Sequence, residues 1–508
     1  MGKKYIDYME EITPEELDEG LLAYGIFTEK LPPIFTAERF YQYCEEHPHN
    51  FQSKPHGYIY YESMRDINIP RQLSIPNPMA YQRQCECIKN NWETIKAHFR
   101  SKTNNDTNKI SRIHIRKQKN SKVIFRMNYK NWRKDGSPEP DLLLGVRFLV
   151  SADISNCFPS MYTHALPWAL VGKEEAKNNR NSGWYNDLDR TTRNLKNGET
   201  HGFLIGPHSS NLISEIILTT IDKYLSDAGY NRFFRNIDDY TCYVKSYEEA
   251  QKFLKDLNRL LREYDLSLNH KKTKIEELPV GLTKRWIHQL NAVDFISSNG
   301  KVNYKGVRAY LDKAVVLMKE NRDSAAIINY AIKVLSHKEL TKNAEQYCLK
   351  IIMHYAIIYP YLVPLLDENV FVPFHASVDQ IQNFSEVLYD ESIKLDNFEA
   401  AIYAIYFSLK YNFEISTVST ESAINNEDCM LKLFIWLYFR KNNNGNGLND
   451  LEKHALELAE KGDEEFDKYW LFVYEVLKDE NLTGDWKSLK REKVTFIKQL
   501  EEVSLHES

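Results

Sequence analysis

The sequence has few of the features that mark membrane, secreted or zinc-binding proteins. No apolar run approaches the roughly 20 residues that a membrane-spanning helix needs, and residues 1–7 lack the apolar core of a secretion signal. The seven cysteines are an odd number and form no CxxC pair, which argues against a disulfide framework and a zinc site. These absences predict a cytoplasmic protein with reduced thiols and no membrane partner.

A surplus of positive charge is also missing. The 66 Lys and Arg against 71 Asp and Glu give a net charge of −5, which argues against passive adhesion to long duplexes. Residues 100–134 depart from this average, with 12 Lys or Arg, one acid, and Phe125, Tyr129 and Trp132 between them. Such a mixture favours phosphate contact with base stacking, although a solvated loop would have the same composition.

The length and the apolar content predict several domains. With 508 residues, 43% of them hydrophobic, the chain can bury a large core and form two or three domains. We predict an N-terminal helical region over residues 1–146, a mixed region over 147–300, and an all-α region over 301–508. Successive amphipathic stretches in the last region indicate stacked helical pairs, as in an α-solenoid. The polar residues 442–449 predict a flexible loop.

The mixed region alternates between strand and helix patterns. Residues 147–154 are an apolar run with β-branched members, which is typical of a buried strand. A helical pattern over 211–225 is followed by two short strands over 233–244 and by a second helical pattern over 248–264. The order strand, helix, hairpin, helix, strand predicts an α+β fold with a split β-α-β unit and both helices on one face.

Three aspartates stand where these strands end. Asp153 closes the first strand, and Asp238 and Asp239 lie between the two short strands. A lone Asp-Asp pair is usually a turn, but the apolar flanks would hold these carboxylates rigidly at the rim of the sheet. Three carboxylates ~4 Å apart repel by roughly 4 kcal/mol per pair at an effective dielectric constant of 20. The pattern therefore predicts a site for two divalent ions, Mg²⁺ or Mn²⁺, that would activate a hydroxyl nucleophile.

With these acids the chain resembles the reverse transcriptases, and within them the abortive-infection group of bacterial phage-defence polymerases. The resemblance spans residues 24–278 and implies fingers and palm domains before the helical region. Asp153 matches the first metal-binding aspartate, Asp238 and Asp239 the paired aspartates, and Lys272 the lysine of a later motif, LNHKKT. The segments that resemble the abortive-infection group are LPP at 31–33, residues 157–177, and IGPHSSN at 205–211.

The resemblance also implies roles for residues around the aspartates. Phe158 would exclude a ribose 2′-hydroxyl, which implies deoxynucleoside triphosphates as substrates, and Lys272 would protonate the leaving pyrophosphate. Arg71 would hold the triphosphate, and Gly206 would let the backbone approach the nucleotide or primer. Ile154 would contact the nucleotide and offer its backbone carbonyl to a metal ion. The ordinary alternatives are a core phenylalanine, a surface lysine and a simple turn at the glycine.

Two departures from the usual reverse-transcriptase pattern bear on the reaction. Asn236 stands where a tyrosine is usual before the paired aspartates, and Ile205 stands where a glutamine is usual before the motif glycine. The usual residues help to position the primer and the incoming nucleotide. Their replacement agrees with untemplated DNA synthesis started on a protein hydroxyl, as the abortive-infection resemblance implies. The candidate priming residues are Tyr8, Tyr5 and Tyr24.

The leading hypothesis is a template-independent, protein-primed DNA polymerase that acts in phage defence and carries single-stranded DNA covalently. The resemblance further implies a homo-oligomer, trimeric or hexameric. Two alternatives stay open: a polymerase that copies an RNA or DNA template, and a non-catalytic scaffold with a degenerate polymerase fold. The presence of all three aspartates argues against the scaffold, because an acidic cluster without cations would carry repulsion alone.

Overall fold

The structure is a computed structural model, and it describes residues 5–47, 51–65, 70–103, 115–117, 123–124, 139–281, 283–295, 297–298 and 300–498. Most of the basic segment 100–134, with its predicted phosphate contacts, lies outside these residues, as does the side chain of Tyr5. None of the helices within these ranges is long and apolar enough to cross a bilayer. All seven cysteines are free thiols, as predicted.

The N-terminal region combines helices with one two-stranded hairpin. Its elements are α1 (Tyr5–Glu10), α2 (Pro14–Leu22), α3 (Glu38–Glu46), β1 (Tyr58–Met64), β2 (Pro70–Pro76), α4 (Pro78–Asn90), α5 (Trp92–Thr103) and α6 (Glu139–Leu143). Helix α2 begins at a capping box: the Thr13 hydroxyl accepts from the Glu16 amide, and the Glu16 carboxylate accepts from the Thr13 amide. Strands β1 and β2 pair antiparallel along their whole length, from Tyr58 opposite Pro76 to Met64 opposite Pro70.

The central region is built on a four-stranded antiparallel sheet in the order β4-β5-β3-β6. Its elements are β3 (Phe148–Asp153), α7 (Cys157–Ser160), α8 (Ala165–Val171), α9 (Lys173–Asn178), α10 (Trp184–Asn194), α11 (His208–Asp227), β4 (Phe233–Asn236), β5 (Asp239–Val244), α12 (Tyr247–Glu263) and β6 (Lys274–Glu277). Strand β3 lies between β5 and β6, so the predicted split β-α-β unit is confirmed.

Both long helices of this region cover the same face of the sheet, as predicted. Arg235 of β4 and Tyr240 of β5 are paired neighbours, and their side chains bond to Asp222 on α11. Phe233, on the same face of β4 as Arg235, packs against Phe253 of α12. The sheet therefore presents one buried face to the two helices.

The remaining chain is almost entirely helical. Its elements are α13 (Arg285–Asn291), β7 (Ser297–Ser298), β8 (Lys301–Val302), α14 (Tyr304–Glu320), α15 (Ala325–Leu335), α16 (Lys342–Ile358), a 3-10 helix (Pro360–Leu365), a π-helical turn (Asp367–Phe371), α17 (Val378–Lys394), α18 (Phe398–Tyr411), α19 (Thr420–Ile424), α20 (Cys429–Lys441), α21 (Gly445–Glu460), α22 (Asp463–Val476), a 3-10 helix (Asp479–Asn481) and α23 (Gly484–Arg491).

The helical character predicted for residues 301–508 is present, but a regular solenoid is not confirmed. Consecutive helices do pack in pairs, such as α17 with α18 and α21 with α22. Helices α18, α20 and α22, however, also pack on strand β1 of the N-terminal hairpin. The boundaries at residues 146 and 300 stay a prediction. The loop predicted over 442–449 is present only at residues 442–444, because α21 begins at Gly445, with the Asn444 side chain accepting from the Gly447 amide.

Two buried acids join the C-terminal helices to strand β1. Asp467 of α22 accepts from the Gly57 amide (2.9 Å) and from the Asn77 side chain (2.7 Å), at the two strand ends that meet there. Glu399 of α18 accepts from the Met64 amide (2.5 Å) at the other end of β1. The hairpin is therefore held by helices that lie far away in the sequence.

We expect Glu399 to make stability fall as pH rises. Burial raises the pKa of Glu399 from 4.5 to about 7, so between these values the folded state binds more protons than the unfolded state. The stability present at pH 5 is therefore lost as pH rises through 7, by on the order of 2–3 kcal/mol for this group. Urea unfolding at pH 5 to 8 should show a smaller loss for Glu399→Gln. Exchange of the exposed Glu414 to Gln is the control, and equal pH dependence in Glu399→Gln and wild type would contradict the assignment.

Candidate active site

Three carboxylates meet at one end of the central sheet. Asp153 is the last residue of β3 and Asp239 the first of β5, and the strand register places them directly opposite each other. Asp238 precedes Asp239 in the turn between β4 and β5. One carboxylate oxygen of each aspartate lies within 4.8 Å of the others. The predicted acidic triad is therefore present, brought together by antiparallel pairing rather than by sequence proximity.

The three carboxylates are crowded and partly removed from water. Asp153 is buried, Asp238 is half-buried, and Asp239 reaches solvent. Burial raises the pKa of Asp238, and the negative charge of Asp153 adds to the rise. Burial also raises the pKa of Asp239, to about 6, with further contributions from Asp238 and Asp153. A bound cation would relieve the repulsion among these carboxylates. Their oxygen atoms are the donors that Mg²⁺ and Mn²⁺ prefer, so the cluster fits a cation-binding site.

Two predicted cationic residues lie beside the triad. The Lys272 ammonium donates to the Asp153 carboxylate at 2.9 Å. The positive charge of Arg71, on strand β2, acts on Asp238 and opposes the rise of its pKa. The Lys272 loop is fixed to β3, because the Asn269 amide donates to the Asp153 carbonyl at 2.7 Å. Their roles toward pyrophosphate and triphosphate stay predictions.

The turn that carries Asp238 has an unusual backbone conformation. Ile237 has a φ of 58°, which a β-branched residue rarely adopts and which costs on the order of 1–3 kcal/mol. The Arg235 guanidinium donates to the Ile237 carbonyl (2.7 Å), and the Ile154 amide donates to the Asp238 carbonyl (3.1 Å). Bonds on both sides of the turn therefore hold it in this conformation and fix the paired aspartates.

A buried ionic network anchors this turn, and sequence reasoning missed it. Arg235 is fully buried, and its guanidinium donates to Glu215 (2.8 Å) and Asp222 (2.7 Å) on α11. The Tyr240 hydroxyl donates to Asp222 at 3.0 Å. Two signals were available in the sequence: an arginine inside an apolar strand, and two acids seven residues apart on one face of an apolar helix.

The other predicted site residues have structural surroundings of their own. Ile154 is buried and lies opposite Leu268 in an antiparallel bridge. The two hydrogen bonds of this bridge are made by the neighbouring residues, so the Ile154 carbonyl is not used in them. Phe158 is half-buried on α7 against the core. Gly206 has a φ of 134°, and a Cβ there would lie 2.8 Å from the Ser74 carbonyl oxygen of β2. The structure thus gives Gly206 a contact with the hairpin, where the sequence predicted one with nucleotide or primer.

The priming candidates lie in the N-terminal region. Tyr8 is on α1, which packs against α5, and the Arg116 guanidinium lies 5.9 Å from the centre of its ring. Tyr24 follows α2 and precedes Gly25, whose carbonyl accepts from the His208 amide at the start of α11 (2.8 Å). Priming from either residue stays a prediction.

A family model matches the middle of the chain. Residues 103–343, just under half of the chain, match the family model described as "Reverse transcriptase (RNA-dependent DNA polymerase)". This range includes all three aspartates and Lys272. No curated protein sequence matches the chain.

The solved structures to which the chain shows some similarity include three of telomerase. Apo telomerase from Candida tropicalis is 11% identical with a TM-score of 0.33, over 72% of each chain. Telomerase from Candida albicans with a TWJ fragment of telomeric RNA is 10% identical with a TM-score of 0.28, over 82% of this chain and 66% of the other. The corresponding Candida tropicalis complex is 12% identical with a TM-score of 0.29, over 71% and 65%.

Exchange of Asp239 to Asn should change stability in opposite directions without and with divalent ions. In EDTA the variant is expected to melt at a higher temperature than the wild type, because one of three mutually repelling carboxylates is removed. Mg²⁺ or Mn²⁺ should raise the melting temperature of the wild type and not of the variant. Thermal melting at pH 8 measures both effects. Exchange of the exposed Glu263 to Gln controls for lost negative charge, and an equal metal response in Asp239→Asn and wild type would contradict the site.

Loss of Arg235 should destabilise the protein strongly. Arg235→Met leaves Glu215 and Asp222 buried without a cation, at an expected cost of about 3–5 kcal/mol in urea unfolding. The matched control is Arg232→Met, six residues before Asp238, where the half-exposed guanidinium bonds to the Leu144 carbonyl; we expect a loss of about 1 kcal/mol. Equal losses in the two variants would show that the network is not the anchor of the turn.

Proposed function

We propose that this chain, which contains a reverse-transcriptase domain, joins deoxynucleotides by a two-metal mechanism. The observation that carries the proposal is the convergence of the Asp153, Asp238 and Asp239 carboxylates within 4.8 Å. The triad offers oxygen donors to Mg²⁺ or Mn²⁺, with the Ile154 carbonyl as a further ligand. Two such ions, when bound, would activate the attacking hydroxyl and stabilise the charge on the leaving pyrophosphate.

The chain's own residues then bind and orient the substrate. Arg71 holds the triphosphate, since a guanidinium bonds to phosphate oxygens in pairs. Lys272, now 2.9 Å from Asp153, donates a proton to the leaving pyrophosphate. Phe158 lies on α7, the first helix after β3, and selects deoxynucleotides by excluding a 2′-hydroxyl. The acids lie at the end of β3 and in and beside the β4–β5 turn. Arg71 lies on β2, and Lys272 lies in the loop before β6.

We further propose that synthesis needs no template and starts on a tyrosine hydroxyl. Asn236 lies opposite Asp239 at the end of β4, and the Ile205 carbonyl accepts from the Ser74 amide of β2 (2.8 Å). Neither position carries the tyrosine or glutamine that usually positions a primer. The segments 31–33, 157–177 and 205–211 support an abortive-infection polymerase in phage defence, with a covalent single-stranded DNA product and a trimeric or hexameric assembly.

The proposal predicts covalent labelling of the protein by its own reaction. The purified chain is incubated with Mg²⁺ and labelled deoxynucleotides, with and without RNA or DNA template, and is then denatured. We expect label that remains on the protein in the absence of template. Asp238→Asn should lower incorporation by roughly 100-fold or more, and the exposed-acid control Glu263→Gln should retain it.

Each outcome separates the hypotheses. Incorporation only with template would eliminate untemplated synthesis, and label lost on denaturation would eliminate protein priming. Absence of incorporation under all conditions would leave the scaffold. Tyr8, Tyr24 and Tyr5 are exchanged to Phe one at a time. The variant that lacks the priming tyrosine should lose covalent attachment of DNA, and all three variants should keep the stabilisation by metal ions.

A further inference from the structure

A cavity in the C-terminal region has an unusually basic lining. It measures about 650 Å³ and lies between the ends of α20 and α22, helix α23, and residues 493–498. Its charged lining residues are Arg440, Lys441, Lys490, Lys493, Lys498 and Glu475. Counted over the described lining residues, five cations and one carboxylate give this basic cavity a formal surplus of four positive charges. None of its elements carries a member of the aspartate triad.

Three of these lysines bond to backbone carbonyls instead of acids. The Lys441 ammonium donates to the carbonyls of Ser408 and Leu409, at 3.1 and 2.8 Å. The Lys490 ammonium donates to the Tyr474 carbonyl (2.6 Å) and the Lys498 ammonium to the Pro33 carbonyl (2.9 Å). Carbonyls satisfy the hydrogen bonds but do not neutralise the charge. Burial lowers the pKa of both Lys441 and Lys490, as expected for cations without full compensation.

Among the described residues that line the cavity, Glu475 is the single acid, and the chain itself already engages it. Glu475 is buried, and its carboxylate accepts from the Thr495 hydroxyl (3.1 Å) and the Phe496 amide (2.7 Å). These bonds hold the carboxylate against the segment after α23. One carboxylate in this position offsets one of the five cations.

Arg440 and Lys493 complete the rim of the cavity. Both side chains are exposed, and the Arg440 guanidinium lies 5.3 Å from the centre of the Trp436 ring, which orients it. Within the part of the chain that the structure describes, neither forms an ion pair. Two cations at the rim and three partly buried ones inside create a strong local positive potential.

We propose that the basic cavity is a binding site for phosphate groups. Its volume falls within the range of about 300–1,000 Å³ typical of small-ligand sites. A guanidinium with several ammonium groups is the set of donors that recognises phosphate oxygens. The phosphates belong to a free nucleoside triphosphate or to a short run of single-stranded DNA. This site is separate from the proposed polymerase centre, and its occupancy does not depend on that activity.

Binding of inorganic tripolyphosphate to the full chain tests the proposal. Calorimetric titration is done in EDTA, so that no divalent ion can retain the probe at the aspartate triad. We expect Arg440→Gln with Lys493→Gln to weaken binding by about tenfold or more, because two phosphate-facing cations are lost. The matched control is Lys319→Gln with Lys350→Gln, which removes two exposed positive charges elsewhere and should change binding by less than about twofold.

Competition identifies the source of the phosphates. Displacement of tripolyphosphate by a deoxynucleoside triphosphate alone assigns a nucleotide site, and displacement by a single-stranded oligonucleotide assigns a strand site. Lys493→Gln alone, at an exposed position, should give part of the loss, and thermal melting verifies that each variant is folded. No measurable binding of tripolyphosphate, or equal binding by the double variant and its control, would overturn the proposal.

Discussion

The pairing of β3 with β5 places Asp153 and Asp239 opposite each other, and the rest of the fold has to hold these two carboxylates together against their mutual repulsion. The Arg235 network does so by fixing the β4–β5 turn to α11. Buried ion pairs contribute little net stability when compared with apolar packing, so the main effect of this network is on geometry. It holds Ile237 at a positive φ and thereby sets the direction of Asp238. The acidic cluster is therefore a property of the whole sheet-helix unit.

The β1–β2 hairpin is where the three regions of the chain meet. Its strand β2 contacts the loop at Ile205 and Gly206, and its strand β1 is held by Glu399 and Asp467 from the C-terminal helices. Arg71, whose charge acts on Asp238, lies on strand β2 of the same hairpin. The hairpin therefore connects the C-terminal helices with the strand that carries Arg71.

Sequence predicted what depends on local pattern and missed what depends on distant contact. The acids at the strand ends follow from short motifs, and they are present. The partners of Arg235 were missed because they lie on another element, and no periodicity indicates that Gly206 meets Ser74. The loop predicted at 442–449 is shorter than expected because packing overrode propensity: Gly447 allows close approach to Phe439, where a Cβ would lie 2.7 Å from the ring.

Residues 496–498, the last that the structure describes, pack against the N-terminal region. The Thr36 amide donates to the Phe496 carbonyl (3.0 Å), the Lys498 amide donates to the Ile34 carbonyl (2.8 Å), and the Phe496 ring packs against Phe40. During translation the N-terminal helices emerge several hundred residues before these partners. Until synthesis reaches Lys498, the part of their apolar surface that Phe496 covers stays exposed, and contacts between residues so far apart in sequence slow folding in general.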